Sequence, residues 1–497
     1  MFGGVFTEEQ IVGSGLSGAG SYELVFIVSG ARHGKIESQT FARAASLPGQ
    51  PHPNSNNGLM RVYRDLERMM TNKRHQGKTG FATGRRAAAL PLLSRLLVTI
   101  ILISTGIGYA AAGGARDNGH SNRRLKASAN ATAPRSNIQN QESFEPDLDE
   151  QIRRTMIEGS IPSLTIALVR GDKIVWTGAY GYSNIWARTP AVPTTVYLIG
   201  STFKAMSTVA LMQLLEQGKF KLDDPVHNYL TDFKIQGEDS AHPVTFRHLL
   251  THTSGLPADF GPFPVWGDTT PPPLDAYLRE KLKVVRPPLE KEEYSNLAYA
   301  LVGYLVQKIS GTPYKKYIQE HVWDPIGMTS TTFEPGPETI ERLAIPYVVD
   351  EKTHSQVPAL QLKASVWPAG LVYGTVLDQA NWLIMNLNAG AIKGKRIIDQ
   401  TLLDQMFTRQ YEKFKGPIEG MWGSKTAAFG LTWWLDERGG DRYFAHSGSV
   451  PGYTAFLLGN RDRKLGVAIL TNGNRAHPQL FKLADKAMDL MIGSVGK

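Results

Sequence analysis

The 497-residue chain contains no cysteine. That excludes disulfides, thiolate metal sites, a cysteine nucleophile and a lipid-modified cysteine, and it leaves the redox compartment open. No metal-ligand spacing and no phosphate-cradling glycine loop stands out, so neither metal nor cofactor is expected. Charge of one sign is also missing from most of the chain. The formal +9 arises wholly in residues 1–126, which hold 16 Lys+Arg and 7 Asp+Glu; the other 371 residues hold 38 of each. Nucleic-acid binding by the folded region thus loses its main electrostatic argument. What is present is ordinary for a globular protein: 42% hydrophobic and 20% charged residues, in a chain long enough for two or three domains.

Residues 1–86 are rich in Gly, Ser, Arg and Asn without sustained periodicity and read as a disordered basic segment. A start at Met60, Met69 or Met70 would make its first part a gene-model extension. Residues 87–115 are apolar apart from Arg95, and 96–115 carry no charge, about the length that spans a bilayer. Lys73, Arg74, Lys78, Arg85 and Arg86 precede them, which orients that side to the cytoplasm and the remainder outside. The segment is a retained signal anchor or, if cut near Ala110-Ala111-Ala112, a signal peptide; the 86 residues in front favour the anchor. Residues 116–145 form a polar linker, and the folded domain occupies 146–497.

Within it, residues 147–158 have helical spacing. Residues 163–170 and 173–179 are β-rich runs joined by Gly171-Asp172, a hairpin signal. Residues 453–459 and 464–471 form a second strand pair, followed by a closing helix over 481–492. Strands at both ends around a helical middle predict an α+β fold: an antiparallel sheet built from the two termini, with helix-rich sequence inserted between. No internal repeat is visible.

Three short motifs carry chemistry. Ser201 and Lys204 are three apart at the start of a helical run that Gly218 stops, so Lys204 Nζ can reach Ser201 Oγ. A serine hydroxyl needs a base to become a nucleophile. Lysine serves only if burial or nearby charge lowers its pKa. Tyr294-Ser295-Asn296 offers a phenol that cations would hold as phenolate, and an amide for a substrate carbonyl and Lys204. His446-Ser447-Gly448 enters a β-rich run, where the glycine lets backbone approach a ligand and the Ser449 N–H can pair with the Ser201 N–H as an oxyanion hole. Each motif has a decoy: Ser494 with Lys497, Tyr182-Ser183-Asn184, and His75-Gln76-Gly77 beside Lys78-Thr79-Gly80. Only 201–204, 294–296 and 446–448 stand in a workable order within the folded region. His252 reads as a turn or core histidine, Asp223-Asp224 as a loop or cap pair, Trp422, Trp433 and Trp434 as core or pocket wall, and Ala369-Gly370-Leu371 as a turn.

The order matches the penicillin-recognising set Ser-x-x-Lys, Ser-Asp-Asn and Lys-Thr-Gly, in its Tyr-x-Asn and His-x-Gly form. Longer blocks agree: IGSTFK at 199–204, LEQGKFKLDDP at 215–225, FRHLLTHTSGLP at 246–257, YSNLAYALVG at 294–303 and WDPIGMTSTTF at 323–333. Over about residues 147–494 the chain resembles the beta-lactamase-related serine hydrolases: class C beta-lactamases, D-stereospecific peptidases and some esterases. The resemblance implies a beta-lactamase/transpeptidase-like fold, a sheet with flanking helices plus an all-helical lobe. It implies Ser201 as nucleophile, Lys204 and Tyr294 as general bases, Asn296 as substrate contact and His446 as electrostatic and binding partner. It also places Ser449 at the strand oxyanion position. Lactam-hydrolysing members usually carry lysine where this chain has His446, which is neutral for much of its population near pH 7. The expected function is therefore acyl-enzyme hydrolysis of an ester or amide, or of a short D-amino-acid peptide, in the cell envelope. The domain would be membrane-anchored through 87–115, or secreted if that segment is cleaved. The alternatives are a class C-like beta-lactamase, a non-catalytic sensor of peptidoglycan fragments, and an assembly factor working through 1–145. Nothing in the sequence fixes an oligomeric state.

Overall fold

The two ends of the folded region meet in one antiparallel sheet. The computed structural model describes residues 145–494, apart from 259–269, 351–354, 415, 418–423 and 475, together with the backbone of four short strands near the N-terminus. Its eight strands are β1 (Ser163–Arg170), β2 (Lys173–Asn184), β3 (Thr189–Pro190), β4 (Ala428–Phe429), β5 (Trp434–Arg438), β6 (Asp441–Val450), β7 (Tyr453–Asn460) and β8 (Leu465–Thr471). They lie in the order β4-β5-β6-β7-β8-β1-β2-β3. The join is β8 against β1, Ala468 opposite Ala167, so residues some three hundred apart pair in register.

Both faces of this sheet are covered, which is why β1, β7 and β8 read as near-continuous apolar runs. Leu164, Ile166 and Leu168 point to one side and pack with Leu480, Leu483 and Ala487. Those three belong to the terminal helix α5 (His477–Gly493), which lies against α1 (Glu145–Glu158). Ala167 and Val169 point to the other side, against α4 (Val376–Leu387). The period of two thus shows in which face each residue packs against, not in burial.

A helix-rich part, which also holds short two-stranded sheets, lies between β3 and β4 in sequence. Its central pair is α2 (Lys204–Glu216) and α3 (Asn296–Ser310), which pack on one another. Both are buried nearly all round, as expected of core helices. Ser295 caps α3, accepting the Ala298 N–H at 3.0 Å, and Gly311 ends it at φ +71°. The beta-lactamase/transpeptidase-like fold expected from the sequence is the fold observed.

Two details go beyond the sequence reading. Tyr182-Ser183-Asn184 closes β2, and Asn184 Oδ1 accepts the N–H groups of Trp186 and Ala187 to start the next turn. The chain divides into Met1–Arg124 and Leu125–Lys497. In the first unit, where no regular structure is expected, Val25–Arg32 pairs antiparallel with Lys35–Ala42. The run VFIV is β-prone. The segment 87–115, the linker 116–144 and the decoys at 75–80 lie outside the described residues. Among the described residues no helix is long and apolar enough to cross a membrane.

Candidate active site

Ser201 and Lys204 meet because the chain enters α2 through a tighter turn. Gly200–Phe203 is a 3-10 helix, in which side chains three apart eclipse. Lys204 Nζ lies 2.9 Å from Ser201 Oγ. The lysine is fully buried, and that burial pulls its pKa well below the ordinary value. Its other neighbours are Asn296 Oδ1 at 2.7 Å and the Ala369 carbonyl oxygen at 2.7 Å. A neutral amine has two N–H donors and one lone pair. Two oxygens that only accept use the two donors, and the lone pair is left facing the Ser201 hydroxyl.

The second motif arrives on α3. With Ser295 as N-cap, Asn296 occupies the first helical position and Tyr294 stands just outside it. The Tyr294 hydroxyl hydrogen-bonds Ser201, and Lys204 Nζ sits 4.8 Å from its ring centroid. Burial pushes the phenol well above its ordinary pKa despite that hydrogen bond. The phenolate expected from the sequence is therefore reversed: no charge nearby outweighs desolvation, and the group is a protonated phenol.

The third motif lies on β6 and does something different from what its sequence suggests. His446 is completely buried, its ring stacked on Trp434 with centroids 4.8 Å apart. Its Nδ1–H donates to the Ser447 carbonyl at 2.7 Å. Burial, reinforced by Lys204, pulls its pKa down to about 3. It is thus neutral and presents no positive charge, which corrects the electrostatic part of its expected role. Gly448 is also redirected. A Cβ there would lie 2.1 Å from the Ile199 carbonyl oxygen, so its room is taken by the chain's own backbone rather than by a ligand.

That close approach is repeated. A Cβ on Gly200, at φ +57°, would meet the Ser449 nitrogen at 2.8 Å, and one on Gly370 would meet the Ser201 nitrogen at 3.0 Å. Three glycines from three segments thus let the backbone at Ser201 and Ser449 pack closely, as the oxyanion hole expected from the sequence would need. Sequence reading treats Ala369 and Gly370 as an ordinary turn. Their contributions here are a carbonyl and a missing side chain, and neither has a side-chain signature.

Above these groups opens a cavity of about 440 Å³. Ser201, Tyr294 and Asn296 form its floor, with Leu362, Val366, Leu371, Trp434, Val450 and Pro451 in its walls. No charged side chain lines it among the described residues. Trp433 is core, Trp434 is pocket wall, and Trp422 lies outside the described residues. Asp223 pairs with Arg247 at 2.7 Å, and Asp224 accepts the Lys221 N–H, both on the surface and as read from the sequence. No group of three or more His, Asp or Glu side chains that could hold a metal occurs among the described residues.

Comparison with known proteins points one way. A family profile described as Beta-lactamase matches residues 148–490. Protein flp of Staphylococcus aureus (strain MRSA252) is 25% identical over 345 residues, which are 67% of this chain and 64% of that protein. The chain therefore spans less than two thirds of that relative's length. The octameric penicillin-binding protein homologue from Pyrococcus abyssi superposes with a TM-score of 0.59 at 30% identity, over 70% of this chain and 77% of that one. The D-amino acid amidase from Ochrobactrum anthropi SV3 superposes with a TM-score of 0.56 over 70% of this chain and 99% of that one; its 23% identity speaks for the fold alone.

Proposed function

Because this chain belongs to the Beta-lactamase family, whose fold is that of serine hydrolases, we propose that residues 145–494 hydrolyse a neutral ester or amide through an acyl-enzyme on Ser201. The observation that carries this reading is the full pairing of Lys204. A buried lysine lies 2.7 Å from each of two carbonyl oxygens and 2.9 Å from a serine hydroxyl, so in its neutral form the lone pair is free for the serine proton.

In acylation, Ser201 Oγ attacks the substrate carbonyl as its proton passes to Lys204. The oxyanion is held by the Ser201 and Ser449 N–H groups. Collapse breaks the bond to the leaving group, which takes the phenolic proton of Tyr294. Lys204 is now an ammonium and Tyr294 a phenolate. In deacylation, water attacks the acyl carbonyl and gives a proton to Tyr294. Ser201 Oγ leaves and recovers its proton from Lys204. Base and acid are thus divided between the two side chains in the direction their pKa values are displaced.

The lining favours an uncharged, apolar substrate of the esterase or D-amino-acid amidase type over a carboxylate-bearing beta-lactam, since His446 is neutral. The cell envelope is the proposed location, on the strength of the basic cluster and the apolar run at 87–115. Parallel assays with p-nitrophenyl esters, a D-Ala peptide amide and a chromogenic cephalosporin test the preference. The expected order places ester or amide turnover at least about tenfold above cephalosporin turnover, the effect of one missing charged contact. Efficient cephalosporin hydrolysis would refute it.

A further inference from the structure

His252 holds Tyr294 from both sides along the backbone. Its carbonyl oxygen accepts the Glu293 N–H at 2.8 Å, and its Nδ1 accepts the Ser295 N–H at 3.0 Å. Between these two anchors the Tyr294 ring lies against the imidazole, centroids 4.2 Å apart and tilted by 31°. Both residues flanking the phenol therefore hang on one side chain and its own carbonyl.

The backbone is shaped for this contact. His252 sits at φ +57°, a conformation rare for a side-chain-bearing residue, in the turn that follows the short helix Phe246–Leu250. It is 1% exposed. Such strain persists only where surrounding contacts over-determine it. Here those contacts are the two amides, the Tyr294 ring and the Tyr299 ring at 5.2 Å.

The protonation state follows from the donors. A backbone N–H can only donate, so the Nδ1 that accepts from Ser295 carries no proton, and the ring is neutral with its proton on Nε2. The titratable groups around it are Lys204, Tyr294, Tyr299 and His446. Burial comes first and the two cationic-capable neighbours second in holding it neutral. A charged imidazole would lose the Ser295 bond and place a cation beside Lys204.

We propose that His252 is a positioning residue for Tyr294, fixing the phenol against Ser201 through the amides of residues 293 and 295 and through ring contact. The inference rests on the proposed roles of Ser201 and Tyr294. His252 does not touch the reacting atoms; it sets where the acid stands.

Two variants separate its parts. His252→Asn suits the positive φ and keeps a short acceptor but removes the ring; His252→Phe keeps the ring and removes the acceptor. Both, with Tyr294→Phe and Ser201→Ala, are assayed in the full-length chain on aryl esters whose leaving groups span several pKa units. Rates of the His252 and Tyr294 variants are normalised to sites titrated by a fluorophosphonate, so that unfolded protein does not count, and Ser201→Ala is compared per mole of folded protein. The expected result, read in the single-turnover acylation rate because deacylation also uses Tyr294, is a deficit that grows as the leaving group becomes more basic, reaching about 10²-fold, in parallel with Tyr294→Phe. A p-nitrophenyl ester, whose leaving group needs no proton, would lose far less. An equal loss on every substrate would overturn the proposal, as would a normalised activity matching wild type. Retained activity in Ser201→Ala would instead sink the catalytic reading beneath it.

Discussion

The floor and the walls of the cavity are built on opposite principles. At and behind the floor, Lys204 is fully buried among oxygen partners, while Tyr294 in the floor and His446 behind it are driven towards their neutral forms. The walls carry Leu362, Val366, Leu371, Val450 and Pro451 and present nothing charged among the described residues. The floor sacrifices hydration to set protonation states. The walls contribute apolar area and shape. In the proposed function, chemistry rests on a few groups at hydrogen-bond distance and recognition on apolar walls, with no cation among the described lining residues.

The largest expected effect breaks the floor. Lys204→Met keeps the volume and removes the base, and kcat on a p-nitrophenyl ester should fall about 10³-fold or more with KM within a few-fold. Loss through KM alone would move Lys204 from the chemistry into the recognition half. Gly448→Ala tests the seam between the halves. Its Cβ would fall 2.1 Å from the Ile199 oxygen and must push β6 off the 199–201 turn. Displacing one oxyanion donor should cost about 10²-fold in kcat. Unchanged kcat would show that the amide of Ser449 takes no part.

The smallest effect concerns stability. His446 titrates near 3 in the folded chain and near its ordinary 6.5 when unfolded. Below about 6.5 the unfolded state binds the extra proton, so stability falls as pH drops from about 6.5 towards 3, by about 1.4 kcal/mol per pH unit for this one group. His446→Gln should flatten the decline in urea midpoint between pH 6.5 and 5 by that increment. The same slope in wild type and variant would mean that His446 is charged or hydrated in solution.

The sequence exposes the floor better than anything else, because the Ser201, Lys204, Tyr294 and Asn296 side chains are themselves the signal and their spacing suits a helix start. The terminal sheet is legible for a similar reason: short β-rich apolar runs and the Gly171-Asp172 turn are local patterns. What escapes is whatever depends on distant backbone. The Ala369 carbonyl reaches Lys204 across 165 residues, and His252 meets Ser295 across 43. Ala369 has no motif of its own, and His252 stands in the FRHLLTHTSGLP block without a mark of the contact it makes. Protonation states escape as well. Tyr294 reads as a phenolate from its expected cation, yet desolvation is a property of the packed interior and reverses the sign. Gly448 shows the same limit, since its freedom from a side chain serves the chain's own packing.

The most direct measurement is intact-mass and peptide mapping of the full-length protein after exposure to a fluorophosphonate and, separately, to a slow p-nitrophenyl ester. The account predicts one adduct per chain on Ser201, lost in Ser201→Ala and formed at least about 10³-fold more slowly in Lys204→Met. An adduct on another residue, or a folded protein that turns over ester while Ser201 stays unmodified, would contradict it.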